Sequence, residues 1–130
     1  MKRIRGLLHI SFILLSTLAA FGANAEEPDW GDVSAILNER CIMCHSSTHG
    51  AGLGLRLDTY EAAVAGSEKG AVLVPGDAAS SELIRRLRGE NTPRMPFLST
   101  PLPQEQIELI MRWVDAGLPD IRGHDTESRN

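Results

Sequence analysis

The stretch Cys41-Ile42-Met43-Cys44-His45 contains both cysteines of this 130-residue chain and places a histidine directly after the second one. This C-x-x-C-H pattern is typical of covalent haem attachment. Two thiols at this spacing can each add to one vinyl group of a haem, and the imidazole of the next residue can then bind the iron. The motif therefore predicts one haem c, bound through Cys41 and Cys44, with His45 as an iron ligand.

Other uses of two cysteines fit this sequence less well. A structural zinc site needs four ligands, and outside the motif the only histidines are His9, His49 and His124. A thioredoxin-like dithiol is expected at the start of a helix within a βαβ pattern, which the sequence does not show. A disulfide or a redox-active dithiol stays open as an alternative, although it leaves His45 without a role.

The N-terminal segment has the three parts of a secretory signal peptide. Basic residues at the start, among them Lys2 and Arg3, are followed by an apolar run from Leu7 to Ala20 and by Ala23-Asn24-Ala25. We expect cleavage after Ala25 and export to the periplasm, where bacteria attach haem to this motif. The alternative is an uncleaved membrane anchor, but the run is marginal against the ~20 apolar residues that a spanning helix needs.

Loss of residues 1–25 removes three basic residues and no acidic one, which changes the formal net charge from −4 to −7. Such an acidic body disfavours nucleic acid and anionic membrane surfaces as partners. The remaining 105 residues suit one small domain. We assign residues 26–118 to this domain and residues 119–130 to a polar C-terminal tail, and we expect no stable membrane insertion after cleavage.

Apolar residues at helical spacing predict four helices. The first carries the haem motif at its C-terminal end, and a short second helix covers Thr59 to Ala65. The third is closed by Gly89, and the last runs from about Gln104 to Ala116. Leucines alternate from Leu53 to Leu57, which predicts a short extended segment with its leucines facing inward.

Methionines are the first candidates for the iron ligand opposite His45. Met43 lies between the two cysteines and cannot reach the other face of a haem. Met111 falls on the apolar stripe of the last helix, where a core role is favoured. Met95 lies in a proline-rich loop, from Asn91 to Pro103, and has little reason to fill a core there.

Met95 is therefore the favoured second ligand. His49 and His124 stay open as alternatives, and so does a site left open or bound by water. His49 follows His45 by four residues, which makes the opposite face difficult to reach.

An ordered set of short motifs follows the haem motif along the chain. They are Gly54-Leu55-Arg56-Leu57-Asp58, Val74-Pro75-Gly76-Asp77, Ser81-Glu82-Leu83-Ile84, Met95-Pro96 and Trp113-Val114-Asp115-Ala116-Gly117. With this set, the chain resembles the small class I-like cytochrome c domains of the planctomycete-type family.

The resemblance implies an all-α, cytochrome c-like fold wrapped around one covalently attached haem, with His45 and Met95 as axial ligands. It also implies electron transfer rather than enzymatic turnover of a substrate. Such domains often lie within larger chains, whereas we expect this one to stand alone. Its electron donor and acceptor are then other proteins that dock transiently.

We therefore expect a periplasmic monohaem cytochrome c that carries single electrons between redox partners and does not bind nucleic acid. Two alternatives from other classes remain. One is a haem-based sensor, or a haem subunit of an oxidoreductase, with an open sixth site on the iron. The other is an extracytoplasmic thiol–disulfide protein without haem.

Overall fold

A computed structural model describes residues 26–121, with only the backbone described at residues 50 and 51. The predicted signal peptide, most of the predicted tail and His124 lie outside the described residues. The described chain contains four α-helices, α1 (Trp30–Arg40), α2 (Tyr60–Ala65), α3 (Glu82–Arg88) and α4 (Gln104–Asp115). One small antiparallel hairpin joins β1 (His45–Ser46) to β2 (Gly50–Ala51). Over this range the fold is all-α, as predicted.

Helix α1 begins with a reciprocal cap at Asp29. The Asp29 carboxylate accepts hydrogen bonds from the backbone N–H groups of Gly31 and Asp32, and the Asp32 carboxylate accepts one from the N–H of Asp29. Three N–H groups that a helix start leaves unpaired are satisfied in this way. The face of α1 with Val33 and Leu37 is buried in the core.

The haem motif follows α1 and does not lie within it. The helix ends at Arg40, and Cys41 is its C-cap with φ −127° and ψ −37°. The backbone N–H groups of Cys41 and Ile42 both donate to the carbonyl of Leu37, so the regular helical pairing stops here. The predicted helix that carries the motif at its C-terminal end is therefore wrong, because the helix ends about one turn earlier, before Cys41.

Helix α4 packs against both α1 and α3. Its buried face contains Trp113, which is 1% exposed, and the ring centroids of Trp113 and Trp30 lie 5.7 Å apart. The indole N–H of Trp113 and the backbone N–H of Trp30 both donate to the carbonyl of Pro119, each at 3.0 Å. The chain that leaves α4 is thereby attached to the start of α1. The predicted domain limit at residue 118 stays a prediction.

The two short helices are bounded by local hydrogen bonds. The hydroxyl of Thr59 accepts from the N–H of Ala62 and caps α2. Before α3, the fully buried Ser81 hydroxyl donates to the carbonyl of Asp77 and accepts from the N–H of Val74. Helix α3 ends at Arg88 and is capped by Gly89, whose φ of 76° is the left-handed conformation expected at this position. Helices this short depend on tertiary packing for their stability.

The predicted extended segment of inward-facing leucines is wrong at its first residue. Leu53 lies in a short 3-10 turn with φ 55° and is 57% exposed, whereas Leu57 is buried. Strand alternation does not apply because the backbone turns at residues 52–54. None of the helices within residues 26–121 is long and apolar enough to cross a membrane.

Candidate functional site

The haem motif forms one compact turn directly after α1. The carbonyl of Cys41 accepts hydrogen bonds from the N–H of Cys44 at 3.1 Å and from the N–H of His45 at 3.0 Å. The Cys41 side chain is partly buried against the core and that of Cys44 is exposed, and both thiols are free. One turn therefore carries two available thiols and an imidazole, as double thioether attachment requires.

The His45 ring is oriented by the chain that follows the hairpin. Its Nδ1 lies 3.1 Å from the carbonyl oxygen of Leu55. Because a carbonyl only accepts, this hydrogen bond requires the proton on Nδ1 and leaves the lone pair of Nε2 free for a metal. Backbone pairing from the N–H of Leu57 to the carbonyl of His45, at 2.8 Å, holds the two segments together. This is the arrangement of a metal-ligating histidine with its outer hydrogen bond in place.

The protonation of Cys41 argues against thiol–disulfide chemistry. Burial raises the pKa of the Cys41 thiol to about 11, and the nearby Arg40 guanidinium offsets only part of this effect. Thiol exchange proceeds through the thiolate, so reactive cysteines usually have lowered pKa values. The raised pKa therefore disfavours a redox-active dithiol at Cys41.

Met95 lies in a loop that is attached at two points. Its backbone N–H donates to the carbonyl of Arg86 at 3.1 Å, which joins the loop to α3. Further along, the carbonyl of Thr100 accepts a hydrogen bond from the guanidinium of Arg40 at 2.7 Å. Arg40 directly precedes the motif, so the loop that carries Met95 is tied to the end of α1. The Met95 side chain is partly buried against the hydrophobic core.

The other candidates for the second ligand are less well placed than Met95, or lie outside the described residues. His49 lies in the turn between β1 and β2, on the same hairpin as His45, and its Nδ1 is 3.4 Å from the hydroxyl of Ser46. Met111 packs against the core from α4, as predicted. His124 lies outside the described residues. Met95 as the second ligand stays a prediction.

Exposed apolar side chains accompany the candidate ligands. Four large hydrophobic residues of the described chain are exposed near these ligands in the sequence. Met43 lies within the motif, Leu53 follows it, and Phe97 and Leu98 follow Met95, with Leu98 91% exposed. Exposure of such groups to water is unfavourable unless something covers them. Two free thiols, an oriented imidazole and a thioether in an attached loop fit a haem.

Residues 26–121 contain no group of three or more His, Cys, Asp or Glu side chains that could hold a separate metal ion. Two supporting contacts were not foreseen from the sequence. The Leu55 carbonyl that orients His45 is a backbone group with no sequence signal, and the bond between Arg40 and Thr100 spans 60 residues.

Comparison with known proteins adds independent support. One family model, described as planctomycete cytochrome C, matches residues 41–96. No curated protein and no solved structure matches the chain. The matched stretch begins at Cys41 and ends directly after Met95, so it includes every candidate ligand favoured above. The description of that family suggests a haem-binding electron carrier. The resemblance predicted from the sequence is therefore confirmed over residues 41–96, which are similar to the planctomycete cytochrome C family.

Proposed function

We propose that this protein is a periplasmic monohaem cytochrome c that transfers single electrons between redox partner proteins. The observation that carries the proposal is the His45 imidazole, which directly follows two free thiols and whose Nδ1 is held by the Leu55 carbonyl. That arrangement leaves the lone pair of Nε2 available to the iron of an attached haem. The family match over residues 41–96 supports the same conclusion.

Each residue of the site has a distinct role in this proposal. When bound, haem c supplies an iron that alternates between Fe(III) and Fe(II). Cys41 and Cys44 would hold the macrocycle covalently, and His45 would provide a nitrogen ligand to the iron. The Met95 thioether provides the other ligand and favours the reduced iron, which raises the reduction potential. Ligands held by a hydrogen-bonded hairpin and an attached loop would keep the coordination constant between the two oxidation states.

The proposal also specifies the number of haems, the cellular compartment and the kind of partner. The chain has two cysteines in one C-x-x-C-H motif, so there is one haem attachment site. The predicted signal peptide directs the chain to the periplasm, where haem attachment takes place. Encounters with electron donor and acceptor should be small and transient, burying less than about 1,200 Å². Nucleic acid and stable insertion into a membrane are not part of the proposed function.

The decisive experiment is optical and mass analysis of the full chain produced together with a cytochrome c maturation system. We expect one haem per chain that survives acid–organic extraction, a low-spin spectrum and a reversible one-electron titration. Cys41→Ala and Cys44→Ala should each weaken or abolish maturation. Met43→Ala is the matched control, because Met43 lies between the cysteines and is 74% exposed.

Three outcomes would count against the proposal in different ways. Complete loss of haem on extraction would refute covalent attachment. A wild-type protein without a Soret band would favour the thiol–disulfide alternative. A high-spin spectrum would favour a sensor or an oxidoreductase subunit with an open sixth site on the iron.

A further inference from the structure

Positive charge is unevenly distributed over the described residues. The segment 82–94 contains four arginines and two glutamates, whereas the rest of residues 26–121 contains four basic and 13 acidic residues. We call the four arginines of this segment, Arg85, Arg86, Arg88 and Arg94, the arginine face. It is a basic region on an otherwise strongly acidic body.

The arginine face adjoins the backbone that positions Met95. The carbonyl of Arg86 accepts from the N–H of Met95 at 3.1 Å, and its guanidinium donates to the carbonyl of Pro93 at 3.0 Å. The Arg94 side chain packs over Gly89 at the end of α3, where its Cδ lies 3.2 Å from the position that a Cβ on Gly89 would take. Helix end, arginines and Met95 loop thus form one unit.

Part of this charge is left without an internal partner. Arg86 pairs with Glu82 at 2.7 Å, and Arg88 pairs with Glu90 at 3.0 Å. Within residues 26–121, Arg85 and Arg94 form no ion pair, and both are exposed. A helix C-terminus favours cations in its last turn, which gives Arg85 a structural reason. That reason does not extend to Arg94, which lies in the loop beyond the helix end.

We propose that the arginine face docks an acidic patch on a redox partner protein. The inference rests on the proposed function, because the docked partner would face the loop that carries the proposed iron ligand Met95. Opposite charges on two surfaces steer their encounter and raise the association rate. The acidic remainder of the chain repels the same partner, so one orientation is selected by attraction here and repulsion elsewhere.

The salt dependence of electron transfer to an anionic probe distinguishes this local charge from the net charge. Reduced, haem-loaded protein is oxidised with ferricyanide at increasing concentrations of KCl. Since salt screens both attraction and repulsion, a reaction governed by the acidic net charge would become faster with salt. A reaction at the arginine face becomes slower, and this is the expected result.

A double variant and a matched control locate the effect. Arg85→Glu with Arg94→Glu should lower the rate at low salt roughly tenfold and reverse the sign of its salt dependence. Lys69→Glu with Arg112→Glu makes the same change in charge at two exposed positions outside the segment. This control should keep the sign of the wild-type protein. Arg85→Gln with Arg94→Gln should give a smaller loss in the same direction, and it serves if the glutamate variant does not fold.

A second measurement does not depend on electron transfer. The redox-inert anion hexacyanochromate(III) should broaden the NMR signals of amides in residues 85–95 in the wild type and in the Lys69/Arg112 control, but not in the Arg85/Arg94 variant. A rate that rises with salt in haem-loaded wild-type protein, or broadening spread evenly over the surface, would overturn the docking surface alone. Absence of covalent haem would instead refute the proposed function.

Discussion

Replacement of Met95 by alanine should remove the second iron ligand while costing little more stability than an ordinary core truncation. Met111 provides the matched comparison. Both methionines are partly buried and pack against the same hydrophobic core, one from the loop after α3 and the other from α4. The two substitutions remove the same atoms from similar surroundings, so a difference between them reports on the iron and not on packing.

The expected loss of stability follows from burial. Truncation of a fully buried methionine to alanine costs about 2–5 kcal/mol, and partial burial reduces this to about 1–2.5 kcal/mol for either residue. The redox effect has a different scale. A ligand that prefers Fe(II) over Fe(III) tenfold raises a one-electron potential by ~59 mV, within the ~0.8 V range that axial ligands of haem can span.

The assay combines chemical denaturation, optical spectroscopy and potentiometry on both variants. Met95→Ala should lose the weak far-red charge-transfer band that a methionine sulfur gives in oxidised low-spin haem. It should also bind added imidazole and show a potential lower by more than ~59 mV. Met111→Ala should keep the band and the potential and differ from the wild type only in its unfolding free energy.

The ligand assignment is refuted by the reverse pattern. If Met95→Ala keeps the band and the potential while Met111→Ala loses both, then Met111 is the ligand and the interpretation of the loop is wrong. If neither variant changes the spectrum, the second ligand is not a methionine. A histidine, or a site bound by water, would then take its place.

Three further predictions test the support of the site and the processing of the chain. Arg40→Ala should remove the hydrogen bond to the Thr100 carbonyl while leaving haem attachment intact. Added imidazole should then displace Met95 and weaken the far-red band at a lower concentration than in the wild type. An unchanged imidazole affinity would contradict this. The pKa of Asp58 is lowered from 3.8 to about 2, first by the N–H of Ser47, so its ionised form contributes stability above about pH 4 that is lost as the pH falls towards 2. Asp58→Asn should flatten the fall in unfolding free energy over this window, and an equal fall in both proteins would disprove the linkage. Mass spectrometry of periplasmic protein should show a chain that begins near Glu26, whereas recovery only from membranes with the basic N-terminus retained would favour an uncleaved anchor.

The chemistry of the site could be predicted from the sequence because it depends on a short range along the chain. The predicted thioether attachment and iron ligation by His45 rest on five consecutive residues, and the spacing holds whatever surrounds it. Helices α2, α3 and α4 could be placed because apolar periodicity and glycine at a helix end act over a few residues. The left-handed φ of 76° at Gly89 is such a local feature.

The features that the sequence did not predict do not depend on a short range along the chain. They depend on groups that are distant in the chain, or on a backbone turn that no side-chain pattern marks. Alternating leucines indicated a strand, but the positive φ of Leu53 ends the alternation. The cysteines continue the apolar period of α1, but the C-cap at Cys41 places the motif after the helix. In both cases a local pattern was continued across a residue at which the backbone changes direction.

The sequence by itself therefore determined which groups can hold a haem, and the tertiary structure decided how these groups are held. The carbonyl that fixes the His45 ring comes from ten residues further along, and the bond from Arg40 that attaches the Met95 loop spans 60 residues. The order of residues does not reveal such contacts, because they form only when helices pack and bring separated backbone carbonyls within hydrogen-bond distance. Packing likewise raises the pKa of the Cys41 thiol, since burial in the core removes water from the sulfur.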